Sequence, residues 1–378
     1  MRFDAAEIQE VKDRLHLSVV FDRLGYKVKG TGRNGVTLCP LHKERTASCH
    51  VDDHKGRWHC YGCGESGDHI DILILKRGLT FEQAVSELGG VRGLTDAERI
   101  DIEKRQAKIK EEEAAERAQK RLWAARLWTR GKDIAGTHAA SYLESRGLKV
   151  HPSWTFDLKF VNELGYSGFQ NRDAQDRVPL GKFPAMIAAI RSGGELIGVH
   201  RTYLDPSEPK KLQPPGDKSR NKPKKVLGEQ LGGVIWLSEP KSIVAVGEGI
   251  ETTRSWPLVM ATRNQDIYWD DYGLACGVSL GNLSGRSTGS LSHPSGSGRV
   301  PNGVPDMEHP AIVWPDIVDE IVLLGDGDSD PVMTSARLSC AGRRYREQGI
   351  DVLISMADKG KDWNDVLRGD NAKSNSNE

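Results

Sequence analysis

Residues 39–42 read CPLH and residues 60–63 read CYGC, with 17 residues between the two stretches. Each stretch places two soft metal ligands three positions apart, so Cys39, His42, Cys60 and Cys63 form a Cys3His set of the kind that grips structural zinc tetrahedrally. A two-residue spacer lets a tight knuckle aim both ligands at one ion, and the intervening residues suffice for a strand pair that brings the knuckles together. Four protein ligands leave no open coordination position, so the expected ion is structural. Cys49, His50, His54 and His59 lie close by as spare candidates. A disulfide framework is the weaker reading. The N-terminus, MRFDAAEIQE, is acidic and lacks the apolar core of a secretion signal, which points to a cytoplasmic chain.

At 378 residues the chain exceeds what one core organises, and two or three domains are expected. No apolar run is long enough to span a bilayer, so no membrane partner is expected. Lys and Arg number 53, as do Asp and Glu. That balance argues against a uniformly basic nucleic-acid binder but leaves room for local patches. Residues 201–230 hold eight Lys or Arg against four acids, whereas residues 316–330 hold six acids and no base. A basic lip facing an acidic pocket suits polyanion chemistry that uses divalent cations; solvated surface is the plainer alternative.

Residues 5–24 carry apolar side chains at helical spacing (Ile8, Val11, Leu15, Val19, Val20, Leu24), with Gly25 as the stop. GVTLCP and GRWHCYGC predict short strands, and SGDHIDILILKRG and LTFEQAVSELGG predict two short helices, the second capped by Thr80 and ended by Gly89–Gly90. This zinc-ribbon module is assigned residues 1–90. Residues 91–130, rich in Ala, Glu, Lys and Arg, predict a helical connector opened by a Thr-x-x-Glu capping box, whose Leu122, Trp123, Leu127 and Trp128 dock on the next domain. Residues 131–235 predict an α+β basic subdomain. In it, KFPAMIAAIRSGGELIGVHRTYL forms two strands joined at Ser192–Gly193–Gly194, followed by the polar loop DPSEPKKLQPPGDKSRNKPKK. From 236 to 370 strands alternate with helices, which predicts an α/β domain with a parallel sheet. A Gly/Ser/Pro-rich stretch at 281–305 is expected to be a mobile loop, and residues 371–378 a disordered tail.

Three strand ends in that last domain carry acids. KSIVAVGEGIETT is a Val-rich strand that ends at Glu248; DEIVLLGDGDSD runs into Asp326, Asp328 and Asp330; IDVLISMADKGKDWNDVL leads to Asp362, Asn364 and Asp365. In open α/β sheets, functional groups sit just beyond the carboxyl ends of strands. Carboxylates so crowded raise one another's pKa values unless cations neutralise them, and all-oxygen ligands suit Mg2+ or Mn2+. Glu248, Asp326, Asp328, Asp330 and Asp362 are therefore the expected ligands of a divalent-metal site. A lone Asp-Gly-Asp turn would be plain polar surface; three matched strand ends favour the metal site. Glu251, Asp319 and Asp358 are read as surface or supporting residues.

Together these pieces resemble the DnaG-type primases of bacteria and phages, in which a CHC2 zinc-binding domain precedes a Toprim catalytic domain. CPLHKERTAS, WHCYGCGESGDHIDIL and the leading helix IQEVKDRLHLSVVFDRLGY are similar to the zinc module, while VGEGIET, LLGDGDSD and GKDWNDVL are similar to the three acidic Toprim motifs. ELIGVHRTYL and NKPKKVLG resemble the basic subdomain between them. The resemblance covers roughly residues 5–80 and 180–370. It implies Glu248, Asp326 and Asp328 as catalytic, and Arg201 and Lys224 as template- and nucleotide-binding. It also implies RNA primer synthesis on a single-stranded DNA template from ribonucleoside triphosphates. Trp58, Tyr61 or similar rings would stack on bases if exposed. The chain departs from the family pattern at Thr252 and Asn364, where acids are common, and in the long spacing from Glu248 to Asp326. A Toprim nuclease and a non-catalytic DNA-binding replication protein are the alternatives. No Walker A motif occurs: none of the Gly-Lys pairs at 131–132, 181–182 and 360–361 is followed by Ser or Thr. Any replicative helicase would therefore be a separate chain.

Overall fold

In a computed structural model, residues 3, 5–30, 35–44, 47–89, 96–150, 157–263, 269–295, 299–309 and 311–369 are described. Gly90, the Thr95 cap and the 371–378 tail lie outside them. The chain divides into two units, Met1–Ala115 and Glu116–Glu378.

In the first unit the elements run α1 (Ala5–Asp13), α2 (Leu17–Arg23), β1 (Gly35–Thr37), β2 (Cys49–Asp52), β3 (Arg57–Cys60), β4 (Ser66–Gly67), α3 (His69–Arg77) and α4 (Phe81–Glu87), followed by the start of α5 (Asp96–Arg130). The four strands form one antiparallel sheet in the order β1-β2-β3-β4. The single helix expected over 5–24 is two. His16 is extended at the start of α2, and the Ser18 amide and hydroxyl both donate to Asp53 at 2.8 Å. A carboxylate thus takes up the free donors at that helix start, which favours a break there over continuation. Trp58 is core and not an available ring: it is 2% exposed, sits edge-on to Phe21, and donates its indole N–H to the Asp68 carbonyl. Thr80 and Gln83 form a capping box on α4, as its sequence predicts.

The second unit continues through α6 (His138–Ser145), β5 (Leu158–Gly168), β6 (Val178–Ser192), β7 (Glu195–Tyr203), β8 (Lys224–Gly228), β9 (Ile235–Trp236), β10 (Ile243–Gly247), α7 (Ile250–Arg263), β11 (Gly273–Cys276), α8 (Leu280–Ser284), β12 (Ser290–Ser292), β13 (Arg299–Pro301), β14 (Glu320–Gly325), α9 (Pro331–Glu347), β15 (Asp351–Met356) and α10 (Trp363–Arg368). Strands β5 to β8 make an antiparallel meander, with Gly193 and Gly194 both at positive φ in the tight β6–β7 turn. The other large sheet has the order β15-β14-β10-β11-β9. Its first four strands are parallel and only β9 is reversed.

Along the parallel strands alternate residues face opposite cores. Ala245, Leu274, Val322 and Leu324 pack with Ile250 and Trp256 of α7 and Trp363 of α10. Val244, Val246, Ile321 and Leu323 pack with Leu338, Ala341 and Tyr345 of α9. Both faces being covered explains why these strands read as continuous apolar runs. Of the residues expected to dock α5, Leu127 and the neighbouring Ala124 are buried against the meander, with Trp128 packed beside them. Leu122 and Trp123 are 45% and 49% exposed, because the docking stripe of a helix recurs every three to four residues and they fall outside it.

The 281–305 stretch is not a structureless loop. It holds most of α8 and the β12–β13 hairpin, and α9 ties it down. Buried Arg344 donates to the carbonyls of Ser284, Arg286, Asp306 and His309, while the Tyr345 hydroxyl donates to Leu283. Five backbone carbonyls that a loop would leave to water are satisfied from one helix.

Candidate functional site

Among the described residues, one group of three or more His, Cys, Asp or Glu brings its ligand atoms within 4.8 Å of one another: Cys39, His42, Cys60 and Cys63. Cys39 Sγ lies 3.8 Å from Cys63 Sγ, and Cys60 Sγ lies 3.8 Å from His42 Nδ1. With zinc–sulfur bonds of about 2.3 Å, the edge of a tetrahedron is about 3.8 Å, so the donors fit the ion. The β2–β3 hairpin supplies the geometry by bringing Cys60 back beside the first knuckle. Burial, and after it the neighbouring thiols, push Cys39 up to about 12, which a bound cation would reverse.

Two supporting residues carry no signal in the ligand spacing itself. Glu44 lies 3.2 Å from His42 Nε2 and accepts from the Cys39 amide and from the Ser48 amide and hydroxyl. Such a carboxylate orients the ring so that Nδ1 faces the metal. The Ser48 hydroxyl is also 3.2 Å from Cys60 Sγ. Cys49 is buried core, whereas Tyr61 is 72% exposed and edge-on to His50 and His59.

The second site is a cavity of about 280 Å3 at the carboxyl edge of the parallel sheet. Glu248 follows β10, Asp326 and Asp328 follow β14, and Asp362 opens α10; all four line this cavity. Gly327 separates the two aspartates because a Cβ there would meet the Asp358 carbonyl at 2.3 Å. Backbone bonds from the Gly327 amide to Lys361 and from the Gly360 amide to Gly327 clamp the two strand ends together. The small residue in Asp-Gly-Asp is thus required by a close backbone approach.

Burial, then Asp362, Asp328 and Glu248, push Asp326 up to about 7, and burial followed by Asp328 raises Glu248 against the pull of Lys224. The Thr252 hydroxyl is 3.3 Å from Asp326, standing as a neutral donor among the acids. Oxygen donors of this kind suit Mg2+ or Mn2+, while among the described residues no three of these carboxylates bring oxygens within 4.8 Å of one another. Asn364 is absent from the cavity lining: fully buried, it donates to the Arg146 carbonyl and to Ser255, tying α10 to α7. Asp330 is also outside the lining. It caps α9 through the Met333 amide and sits 3.1 Å from His293.

Basic residues share the cavity with these acids: Arg146, Lys211 and Lys224 join the lining, as does His200. Glu251 stands among them, and it is not surface. It is 5% exposed, 3.0 Å from Lys211 Nζ and 3.2 Å from Lys224 Nζ, and it accepts from the Tyr142 hydroxyl. Burial works to raise its pKa, but the two lysines and the tyrosine hold it well below the usual carboxylate range. His200 is buried and pushed down to about 3, by burial first and then by Lys224.

Arg201 is not in this cavity. Thr202 pairs with Lys224 and Arg201 with Lys225, so the pleat sends Arg201 and Lys225 to the face opposite Lys224. There Lys225 lies over the Tyr166 ring and is lowered to about 8, by burial and then by Arg177 and Arg201. Among the described residues none of these three cations has a carboxylate partner.

A zinc-binding cluster joined in one chain to an α/β unit whose parallel strands end in acids defines a class of protein, and the comparisons specify it. The CHC2 zinc finger family matches residues 3–107, and a domain of unknown function (DUF7146) matches residues 118–237. A DNA primase of Clostridium acetobutylicum is 29% identical over 235 residues, covering 56% of this chain and 38% of that protein. A DNA primase of Staphylococcus aureus is 30% identical over 242 residues, covering 57% and 39%. This chain thus spans about two fifths of the length of these curated relatives. Among solved structures, the zinc-binding and RNA polymerase domains of the Aquifex aeolicus primase align over 96% of this chain and 82% of that one, at 14% identity and TM-score 0.33. A DnaG primase catalytic domain bound to single-stranded DNA aligns over 68% and 78%, at 14% identity and TM-score 0.37. Scores that low carry no argument about geometry. The sequence matches bear out the resemblance: this chain is related to the DnaG-type primases, and its zinc set is a CHC2 zinc finger.

Proposed function

We propose that the chain is a primase, making short RNA primers on single-stranded DNA by divalent-metal-dependent nucleotidyl transfer. The observation that carries this reading is the mixed cavity, lined both by acids from three strand ends and by Lys211, Lys224 and Arg146. In the reaction the 3′-hydroxyl oxygen of one ribonucleotide bonds to the α-phosphorus of the next triphosphate. The bond from that phosphorus to the bridging oxygen breaks, pyrophosphate leaves, and the hydroxyl proton is released to water. Glu248, Asp326, Asp328 and Asp362 would hold Mg2+ or Mn2+, which when bound supplies charge stabilisation at the phosphoryl oxygens. Lys224 would meet the nucleotide. Arg201, with Lys225 and Arg177 on the other face of the meander, would meet template phosphates, and Tyr61 is the exposed ring of the zinc module suited to stacking on a base.

In this reading residues 1–90 are the zinc-binding domain, 91–130 the connector, 131–235 the basic subdomain and 236–370 a Toprim-type catalytic domain. The test is extension with labelled ribonucleotides on a mixed-sequence single-stranded template in Mg2+. Wild type should make short RNA, while Glu248→Gln, Asp326→Asn and Asp328→Asn should each lose roughly a hundredfold or more of the rate yet keep DNA binding. Cleavage of the template without synthesis would establish the nuclease reading. DNA binding with neither reaction would establish a binding protein.

A further inference from the structure

Glu251 stands three residues after Glu248 in VGEGIET and was given no catalytic or metal role by the sequence, yet it is the most enclosed carboxylate at the cavity. It touches three side chains from three separate places in the chain: Tyr142 on α6, Lys211 in the loop after β7, and Lys224 at the start of β8. One carboxylate cannot neutralise two ammonium groups, so the cluster keeps a net positive charge that faces the cavity beside Arg146. Burying a carboxylate costs several kcal/mol even when it is paired, and an apolar side chain would hold α7 against the sheet as well. What Glu251 adds is position. Lysine stems are flexible, and a fixed counter-charge places both ammonium groups before any ligand arrives, which lowers the cost of binding.

A second observation in the same cavity points to a ligand. His200 is 8% exposed, lines the cavity, and its Nδ1 has no partner. Buried ring nitrogens are ordinarily hydrogen-bonded, so this one marks where a ligand atom belongs.

We propose that Lys211 and Lys224, set in place by Glu251, form a seat for the phosphate chain of a nucleoside triphosphate, with Glu251 as a positioning residue that does not touch the ligand. The ligand class rests on the nucleotidyl-transfer reading above. The seat shares its cavity with Glu248, Asp326, Asp328 and Asp362, so a bound triphosphate would lie in the same pocket as the carboxylates.

Simple electrostatics and positioning predict opposite signs for one substitution. Glu251→Gln removes a negative charge and, by charge alone, should tighten anion binding. As the loss of a positioning group it should weaken binding. The measurement is calorimetric titration of the full chain with ATP in magnesium-free buffer, with adenosine as the phosphate-free control and zinc content verified afterwards. Lys211→Ala and Glu251→Gln should each weaken ATP binding by roughly tenfold, the scale of one charge-assisted contact, and leave adenosine binding unchanged. Lys241→Ala, at the amino end of β10 and paired with Asp270, should leave ATP binding at the wild-type level. Should Glu251→Gln fail to fold, Lys211→Ala carries the test, because it truncates a loop side chain and leaves Glu251 paired with Lys224 and Tyr142. Wild-type ATP affinity in Lys211→Ala, or equal or tighter affinity in a folded Glu251→Gln, overturns the seat. If both variants weaken ATP binding but wild type makes no primers, the seat stands and the polymerising reading fails.

Discussion

At Asp326, burial and then the neighbouring Asp362, Asp328 and Glu248 push the carboxyl from 3.8 up to about 7. In magnesium-free protein that keeps its zinc, the folded chain therefore holds a proton between about pH 4 and pH 7 that the unfolded chain has already released. The stability contributed by the protonated form is complete below the unfolded pKa and is lost as pH rises through 7. Asp326→Asn should remove this decline and leave the magnesium-free protein more stable than wild type at pH 7.5, by about 1 kcal/mol or roughly 2–4 °C in Tm. Thermal melts from pH 4 to 8 decide it, and parallel wild-type and mutant curves would show that the acids do not crowd one another. Arg201 makes a second residue-scale test. Because the β7–β8 register sends it away from Lys224, Arg201→Ala should reduce the slope of log affinity against log salt for single-stranded DNA by about one unit while ATP binding is unchanged. Loss of ATP affinity in Arg201→Ala would place this side chain at the cavity and contradict the pleat.

Among the elements, the parallel strands were legible because each is a local signal: an apolar run stopping at a small residue and an acid, as in IVAVGE and IVLLGD. The β6–β7 hairpin was legible for the same reason, its two glycines sitting where positive φ is needed. What could not be read depends on partners far along the chain. Glu251 looks like one more acid until Tyr142, 109 residues away, and Lys211 are brought to it. Arg201 and Lys224 appear to share a groove until the β7–β8 register sorts them onto opposite faces. The 281–305 stretch reads as mobile from composition because the side chain that organises it, Arg344, lies on α9. Arg344→Met should free those carbonyls and cost on the order of 3 kcal/mol, since several buried acceptors lose a charged donor together. Hydrogen exchange and limited proteolysis should locate the loosening within residues 284–309. Unchanged protection there would mean that the hairpin stands without its anchor.

At the scale of the whole molecule, each core draws its residues from one unit: the zinc-proximal cluster runs from Val11 to Leu88, and the other three from Ala124 to Trp363. The first cluster is small and includes three cysteines, two of them zinc ligands. Domains of that size seldom bury enough apolar surface to fold unaided, and the apparent binding energy of structural zinc, about 10–16 kcal/mol in small fingers, then serves as folding energy. The second unit contains none of the four ligands and two covered sheet faces, so it has no such dependence. Purified protein should carry one zinc per chain by elemental analysis, and Cys63→Ser should lose most of it. Removing zinc with a chelator should abolish protection of the amides in residues 35–89 and leave protection of β10, β14 and β15 at the holo level. On the proposed function, DNA binding through the basic face of the meander should persist at reduced affinity. Well under one zinc per chain with intact thiols would remove the metal from the account, and simultaneous loss of protection in both units would show that the cores fold as one.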